Sequence, residues 1–351
     1  MHDVAFEYLL SCLGASENSY DKTLLVADEH AAPYIQNIAG LSGLSIISNR
    51  FDVVEAARNH HIEATFSDFD FSHFAQGSYS RILYRISKEK PVVHHVINEA
   101  SHLLAQGGQL RLVGFKNEGT KTYIEKTKKY FGNGESKKQG SVYSGTFTKT
   151  ALPIADERLD TQNYASLRLI EGVSLPFYSK PGLFGWNKVD QGSAFLAAHL
   201  PLFLAGNLPL TSLLDLGCGY GYLMLQSRHL PLIRRVATDN NAAAMRAAQE
   251  NFSFYGMQVE TLADDCGASL QAKFDLILCN PPFHRGFETD GALTVKFLQH
   301  IRRLLAPNGV AVLVVNQFIG LENAAAPYFK HIKTVADNGQ FRLFSLQQHR
   351  V

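Results

Sequence analysis

The stretch LTSLLDLGCGYGYL, residues 210–223, decides the fold. An apolar run, Leu210–Leu216, enters a turn with glycine at 217, 219 and 221 and leaves it as a helix-like segment. Glycines at a strand-to-helix turn tolerate positive φ and let a ligand lie against bare backbone. Outward from this turn, Arg235–Asp239 reads as a second short strand. Asn240–Tyr255 reads as an Ala-rich helix closed by Gly256. Phe274–Cys279 and Val310–Val315 are continuous apolar runs of the kind buried parallel strands show. Between them Gly291–Leu305 reads as a helix stopped by Pro307 and Gly309. Strands alternating with helices predict a doubly wound, Rossmann-like α/β sheet. Lys333–Gln348, two strand-like segments about the Asp337-Asn338-Gly339 turn, predicts an antiparallel edge.

The acids around the turn narrow the ligand. Asp239 ends the second strand about 20 residues on, where a carboxylate can take both hydroxyls of a ribose. A dinucleotide fingerprint would need a small residue at 222, where Tyr222 stands, and Asp215 would repel a pyrophosphate at that helix start. A cofactor bearing an amine and a sulfonium, as S-adenosylmethionine does, would instead be attracted. The expected cofactor contacts are Asp215, Gly217, Gly219, Gly221 and Asp239. The competing readings are a dinucleotide site and a glycine turn that merely packs. Asp264 and Asp265 end the third strand, where an acid can accept from an adenine amino group; Asp265 is the choice because it is the more loop-ward, and a solvated helix-cap pair is the alternative.

Directly after FDLILC (274–279) comes Asn280-Pro281-Pro282-Phe283-His284. Two prolines cannot extend a central strand, so the chain must turn off at the carboxyl edge of the sheet, where such folds bind ligands. There the Asn280 side chain and the Pro281 carbonyl form a fixed pair of acceptors. An exocyclic amine on an aromatic ring is a poor nucleophile because its lone pair is delocalised. Two acceptors on its N–H groups favour the pyramidal, nucleophilic form in the transition state. Asn280, Pro281 and Phe283 are the candidate catalytic residues, with Asn280 also beside the cofactor. Phe283 offers a face for stacking a base. Pro282, Phe283 and His284 are assigned to substrate binding, His284 shaping the pocket rather than acting as a base.

The first half repeats this order without the glycines. Thr23–Ala27 stands for Ser212–Leu216, Ser45–Ser48 with the following Ala-containing helix for the second strand and its helix, and Ser80–Arg85 for FDLILC. HLLAQGGQLRLVGF (102–115) matches RLLAPNGVAVLVVN (303–316), with Leu103, Leu104, Ala105 and Gly108 against Leu304, Leu305, Ala306 and Gly309. Recurrence in one order points to two tandem domains arising by duplication, the N-terminal copy degenerate. Boundaries are expected at 1–150 and 151–351, with 151–195 a β-rich lead-in to the second domain. Gly132–Gly140 is expected to be a charged surface loop.

Composition agrees with this plan and excludes others. The 351 residues suit two domains, and 46% hydrophobic with 19% charged residues exclude a disordered chain. No apolar run reaches the roughly 18–20 residues that span a bilayer. The four cysteines are scattered without a CxxC, and the histidines do not cluster, so no metal site or disulfide framework is expected. The N-terminus lacks the basic segment of a secretory signal, and a cytoplasmic location is expected. With 33 basic and 32 acidic residues, a nucleic-acid partner would have to be gripped by a local patch. The basic stretch Lys121–Lys138 is a candidate, a solvated helix face its alternative.

On DLGCGYG (215–221), Asp239, NPPFH (280–284) and the repeated architecture, the sequence resembles the class I S-adenosylmethionine methyltransferases. More narrowly it looks like the ribosomal RNA guanine-N2 methyltransferases of the small-subunit methyltransferase C type and their large-subunit relatives. The resemblance spans essentially the whole chain and is most specific over 165–345. It implies a catalytic C-terminal domain and an N-terminal domain for RNA docking or structural support. It further implies a methyl transfer to a guanine N2 amine of ribosomal RNA, 16S favoured, by a monomer acting on rRNA or the assembling small subunit, without a membrane partner. Lys188-Val-Asp190-Gln-Gly192-Ser193 matches the end of a family segment, which implies cofactor or substrate contacts from Lys188 and Asp190, an ordinary surface lysine being the alternative for Lys188; the front of the segment departs, with Phe184-Gly185-Trp186. An N6-adenine methyltransferase acting on DNA or RNA, a protein glutamine methyltransferase and a non-enzymatic RNA-binding protein are the competing functions.

Overall fold

The computed structural model describes residues 3–13, 22–204, 210–282, 284–285, 288–289 and 291–348. The chain divides into two compact units, Met1–Leu167 and Arg168–Val351. In the first, β1 (Thr23–Ala27), β2 (Leu44–Ser48), β3 (Glu63–Phe66), β4 (Tyr79–Arg85), β5 (Leu104–Phe115), β6 (Glu135–Gln139) and β7 (Val142–Thr148) form a sheet in the order β3-β2-β1-β4-β5-β7-β6. Helices α1 (Val4–Ser11), α2 (Phe51–Asn59), α3 (Lys90–Leu103) and α4 (Thr120–Phe131) accompany it.

The second unit opens with a hairpin, β8 (Arg168–Ile170) and β9 (Phe177–Ser179), and α5 (Gln191–Leu204). Its sheet holds β10 (Ser212–Leu216), β11 (Arg234–Asp239), β12 (Glu260–Ala263), β13 (Phe274–Cys279), β16 (Leu305–Asn316), β17 (His331–Asp337) and β18 (Phe341–Gln347), in the order β12-β11-β10-β13-β16-β18-β17. A small hairpin of β14 (His284–Arg285) and β15 (Glu288–Thr289) follows β13. Helices α6 (Tyr222–Gln226), α7 (Ala242–Phe254), α8 (Gly291–Leu304) and α9 (Leu321–Ala325) complete it. Both sheets have five parallel strands and an antiparallel edge, one topology used twice.

Local chemistry explains the elements. The central strands are buried on both faces, which is why they read as unbroken apolar runs. Helix α7 starts where the Asn241 side chain accepts the Ala243 N–H at 2.9 Å, and the chain leaves it through Gly256 at φ +62°. Gly108 and Gly309 do one job in the two sheets. A Cβ on Gly108 would stand 3.0 Å from the Tyr79 carbonyl, and one on Gly309 2.8 Å from the Phe274 carbonyl, each beside a register shift between the paired strands.

Two expectations shift. Residues 151–167 are part of the first unit, not a lead-in to the second, because Leu159 and Tyr164 enter its core and Asn98 pairs with both backbone groups of Leu159 (2.8 and 3.1 Å). The 132–140 segment is not only a loop: Glu135–Gln139 forms the exposed edge strand β6, paired with β7. Its lysines suit an unpaired edge, where charge discourages association with another strand.

Strand register matches the sequence of one unit to that of the other, position by position. Leu83 pairs with Leu25 and Arg111, as Leu278 pairs with Asp215 and Val312. Leu25 pairs with Ile46, as Asp215 pairs with Ala237. Leu25 thus stands for Asp215, Ser48 for Asp239, and Arg85 for Asn280.

Candidate active site

The glycine turn lies between β10 and α6, and its three glycines are all left-handed: Gly217 at φ +76°, Gly219 at +56° and Gly221 at +87°. They divide the work. A Cβ on Gly219 would meet nothing within 4 Å, so this residue offers bare backbone to the crevice. A Cβ on Gly221 would lie 2.7 Å from the Phe252 ring, so this glycine, expected among the cofactor contacts, lets the turn close against α7. The N–H groups of Gly217 and Cys218 both donate to the Thr238 carbonyl at 2.9 Å, pinning the turn to β11.

Asp215 is fully buried. Its Oδ2 accepts the Met224 N–H at 3.0 Å, whereas Oδ1 is buried without a hydrogen-bond partner. Burial first, and repulsion by Asp239 second, push this carboxyl up to about 7, against the opposing Met224 N–H. An orphaned buried carboxylate oxygen calls for a cationic or hydrogen-bonding ligand. Asp239 sits half-buried at the end of β11, where Oδ2 accepts the Gly219 N–H at 2.9 Å and Oδ1 the Asn241 N–H at 2.8 Å. Each oxygen of a carboxylate can accept more than one hydrogen bond, the chemistry that ribose hydroxyls require. Asp264 and Asp265 separate clearly. Asp264 is buried and caps a turn, accepting from the Ser269 N–H at 3.1 Å and hydroxyl at 2.8 Å. Asp265 stays accessible and is paired with Lys296 of α8. Lys296 carries no motif, and nothing in the sequence singled it out.

The Asn-Pro-Pro corner leaves β13 at the carboxyl edge of the sheet. The Asn280 amide nitrogen donates to Asp190 Oδ2 at 2.7 Å and to the Ser193 hydroxyl at 2.8 Å. Pro281 is buried and Pro282 exposed. Phe283 and the side chain of His284 lie outside the described residues. Asp190, expected to touch cofactor or substrate, holds Asn280 and caps α5, its Oδ2 accepting the Ser193 N–H at 2.8 Å. Lys188 is an exposed residue of the turn before Asp190, with its N–H on the Gly185 carbonyl at 3.2 Å. Ser193 was visible in the sequence only as the end of the Asp-x-Gly-Ser stretch.

The segment before α5 buttresses the glycine turn as well. Phe177 stacks on Tyr220 at 4.2 Å between ring centroids, and Asn251 of α7 donates to the carbonyls of Tyr178 (2.9 Å) and Tyr220 (2.8 Å). Burial pushes the thiols of Cys218 and Cys279 well up, so neither is a ready nucleophile at neutral pH.

The same edge of the first unit is filled by its own side chains. Arg85 is buried and binds Asp3 (2.9 Å) and Glu118 (2.7 and 2.8 Å). Asp68, two residues past Phe66 as Asp265 is two past Ala263, accepts the hydroxyl of the buried Tyr164 at 2.7 Å. Among the described residues one group could ligate a metal, Asp28, Glu29 and His30, and it belongs to this unit.

A bare-backbone glycine turn, an orphaned buried carboxylate, a strand-end acid and an oriented Asn-Pro-Pro corner along one edge of a doubly wound sheet define an S-adenosylmethionine-dependent methyltransferase domain. Residues 174–345 match the family model of the methyltransferase small domain. The chain is similar to the ribosomal RNA small subunit methyltransferase C of Shewanella loihica, 24% identical over 321 residues and 90% of each chain. It is similar also to the enzyme of that name from Alteromonas mediterranea, 26% identical over 317 residues, 87% of this chain and 82% of the relative. Its fold is that of the T. thermophilus 16S rRNA N2 G1207 methyltransferase solved with AdoMet and guanosine. That match has a TM-score of 0.81 at 22% identity, covering 99% of this chain and 92% of the other.

Proposed function

We propose that the protein transfers the methyl group of S-adenosylmethionine to the exocyclic N2 amine of a guanine in small-subunit ribosomal RNA. The observation that carries this reading is the held amide of Asn280: with both N–H groups engaged by Asp190 and Ser193, the side chain presents its Oδ1, an acceptor, to whatever enters the crevice. An aromatic amine, with N–H groups to donate, is the matching substrate group. The relatives named for 16S or small-subunit rRNA support guanine N2 as that amine.

In this reading Asp215, Gly217, Gly219, Asp239 and Asp265 hold the cofactor, which supplies an electrophilic methyl group. The guanine must leave its stack to reach the corner, since its amine is inaccessible in a duplex. Asn280 Oδ1 and the Pro281 carbonyl accept the two amine N–H groups and favour the geometry in which the nitrogen lone pair can attack. The amine proton becomes acidic only after methyl transfer and leaves to solvent. Phe283 and His284, next in the chain, are assigned to stacking and to shaping the pocket, and Lys188 to the approach of the RNA.

The first unit, with one topology but Leu25, Ser48 and Arg85 at the decisive positions, is read as a degenerate duplicate that docks RNA or supports its neighbour. Helix α4 buries Tyr123, Ile124, Thr127, Tyr130 and Phe131 and exposes Lys121, Lys128 and Lys129, a basic face suited to phosphates. The protein is taken to act in the cytoplasm as a monomer. Small-subunit rRNA from cells lacking the protein, digested and analysed by mass spectrometry, should lack one N2-methylguanosine that wild-type protein restores. An unchanged nucleoside profile would refute the assignment.

A further inference from the structure

We infer that Asp190 and Ser193 are positioning residues of the reaction: they fix the Asn280 amide in the one orientation that offers its oxygen to the substrate amine. The inference rests on the methyltransferase reading and deepens it. A primary amide has two donors on one side and an acceptor on the other, and rotation by 180° about its last bond exchanges them at almost no steric cost. For a residue meant to accept from an amine, the wrong rotamer would present N–H groups to N–H groups. The rigid Asn-Pro-Pro backbone fixes where the side chain begins but not which way its end faces.

The partners on the far side settle it. Asp190 Oδ2, 2.7 Å from the Asn280 nitrogen, is the end of a carboxylate that only accepts when ionised, so the reversed amide would set two acceptors against each other. The Ser193 hydroxyl, 2.8 Å from the same nitrogen, receives the second N–H. Both partners are themselves immobilised at the start of α5, where Asp190 Oδ2 accepts the Ser193 N–H at 2.8 Å and the Asp190 carbonyl the Ala194 N–H at 2.9 Å. Helix capping and amide orientation thus share one carboxylate. The Asp-x-Gly-Ser spacing follows from this: the third residue past Asp190 provides both the capped N–H and the second acceptor. Gly192 leaves little room between them: a Cβ there would come 3.2 Å from Asp190 Oδ2 and from the Phe341 ring, so a larger residue would press on the carboxylate.

Three variants of the full chain separate positioning from capping. Asp190→Asn keeps an oxygen for both bonds and should keep kcat within about fivefold. Asp190→Ser caps a helix well but ends one atom short, and should lower kcat at least tenfold. Ser193→Ala should lower it three- to tenfold, with Ser193→Thr restoring it. Across all of them, calorimetric affinity for S-adenosylmethionine and KM for RNA should stay within threefold. The proposal is overturned if Asp190→Ser keeps kcat within twofold, or if its loss appears in cofactor affinity or KM instead of kcat. A second readout needs no turnover: hydrogen exchange of the Asn280 side-chain protons, followed by NMR in folded protein. They should be protected in wild type and exchange at least tenfold faster in Asp190→Ser; equal exchange in both overturns the proposal. If wild type left rRNA unmethylated while this protection persisted, the substrate reading would fail and the positioning would stand.

Discussion

By strand register Arg85 occupies the place in the first sheet that Asn280 occupies in the second. The exchange closes a site. Where Asn280 is half-buried and held through its amide nitrogen, Arg85 is 1% exposed and locked between Asp3 and Glu118. With Leu25 in place of Asp215, the first unit has an apolar side chain where the second has its buried carboxylate. Titration of the full chain should therefore find one S-adenosylmethionine per chain, and Asp239→Ala should weaken it at least tenfold through the lost charge-assisted bonds. Two sites, or unchanged affinity in folded Asp239→Ala, would contradict this.

The same arginine should be a stability determinant of the first unit. Removing one partner of a buried ion network leaves uncompensated charge, at a cost of about 3–5 kcal/mol. Arg85→Ala should lose about that much in denaturant unfolding of the first unit, while the one cofactor site persists. A loss below about 1 kcal/mol would show that Asp3 and Glu118 do not depend on it.

Asp215 makes both stability and binding pH-dependent. Its carboxyl is held up to about 7 in the folded, cofactor-free chain against an ordinary value of 3.8. Below the ordinary value both states hold the proton. Between the two values the unfolded chain ionises and the folded one does not, so stability falls as pH rises, and above about 7 the full penalty applies, on the order of 4 kcal/mol. A cationic cofactor favours the ionised form, so affinity should rise up to about tenfold per pH unit below 7 and then level off. Asp215→Asn should flatten the calorimetric affinity profile, lower its plateau and stabilise the free protein at pH 8.

Two neighbouring glycines should fail differently. Gly219→Ala puts a Cβ into open crevice at a positive φ, costing about 1–2 kcal/mol of backbone strain but blocking the cofactor path. Gly221→Ala adds a clash with the Phe252 ring to similar strain, costing roughly 1–3 kcal/mol more. Thermal melts should rank Gly221→Ala the less stable. Calorimetry should show at least a tenfold affinity loss for Gly219→Ala; unchanged affinity there would mean that the ligand does not approach this backbone.

Much of this site was legible because periodicity and punctuation are local. The glycines of the turn, the acid ending β11 and the prolines ending β13 each announce themselves within a few residues. What stayed hidden is tertiary. Asp190 lies 90 residues from Asn280 in the chain, and no spacing rule turns a helix cap into an amide clamp. Lys296 sits on one face of an amphipathic helix whose pattern records only what is buried. The boundary fell at 167/168 because Leu159 and Tyr164 pack back into the first unit, and apolar residues in an irregular segment do not say which core they join. Loop-ward position separates Asp265 from Asp264 in the sequence, but that Asp264 is buried and Asp265 paired with Lys296 is a matter of tertiary packing.

The most direct test is methyl transfer from radiolabelled S-adenosylmethionine to small-subunit rRNA from cells lacking the protein, followed by identification of the labelled nucleoside. Wild type should label N2-methylguanosine, and Asn280→Ala should cut the rate roughly 10²–10³-fold, the usual loss of one preorganised partner, while binding the cofactor within a few-fold of wild type. Label in N6-methyladenosine or in protein, or near wild-type transfer by Asn280→Ala, would contradict the account.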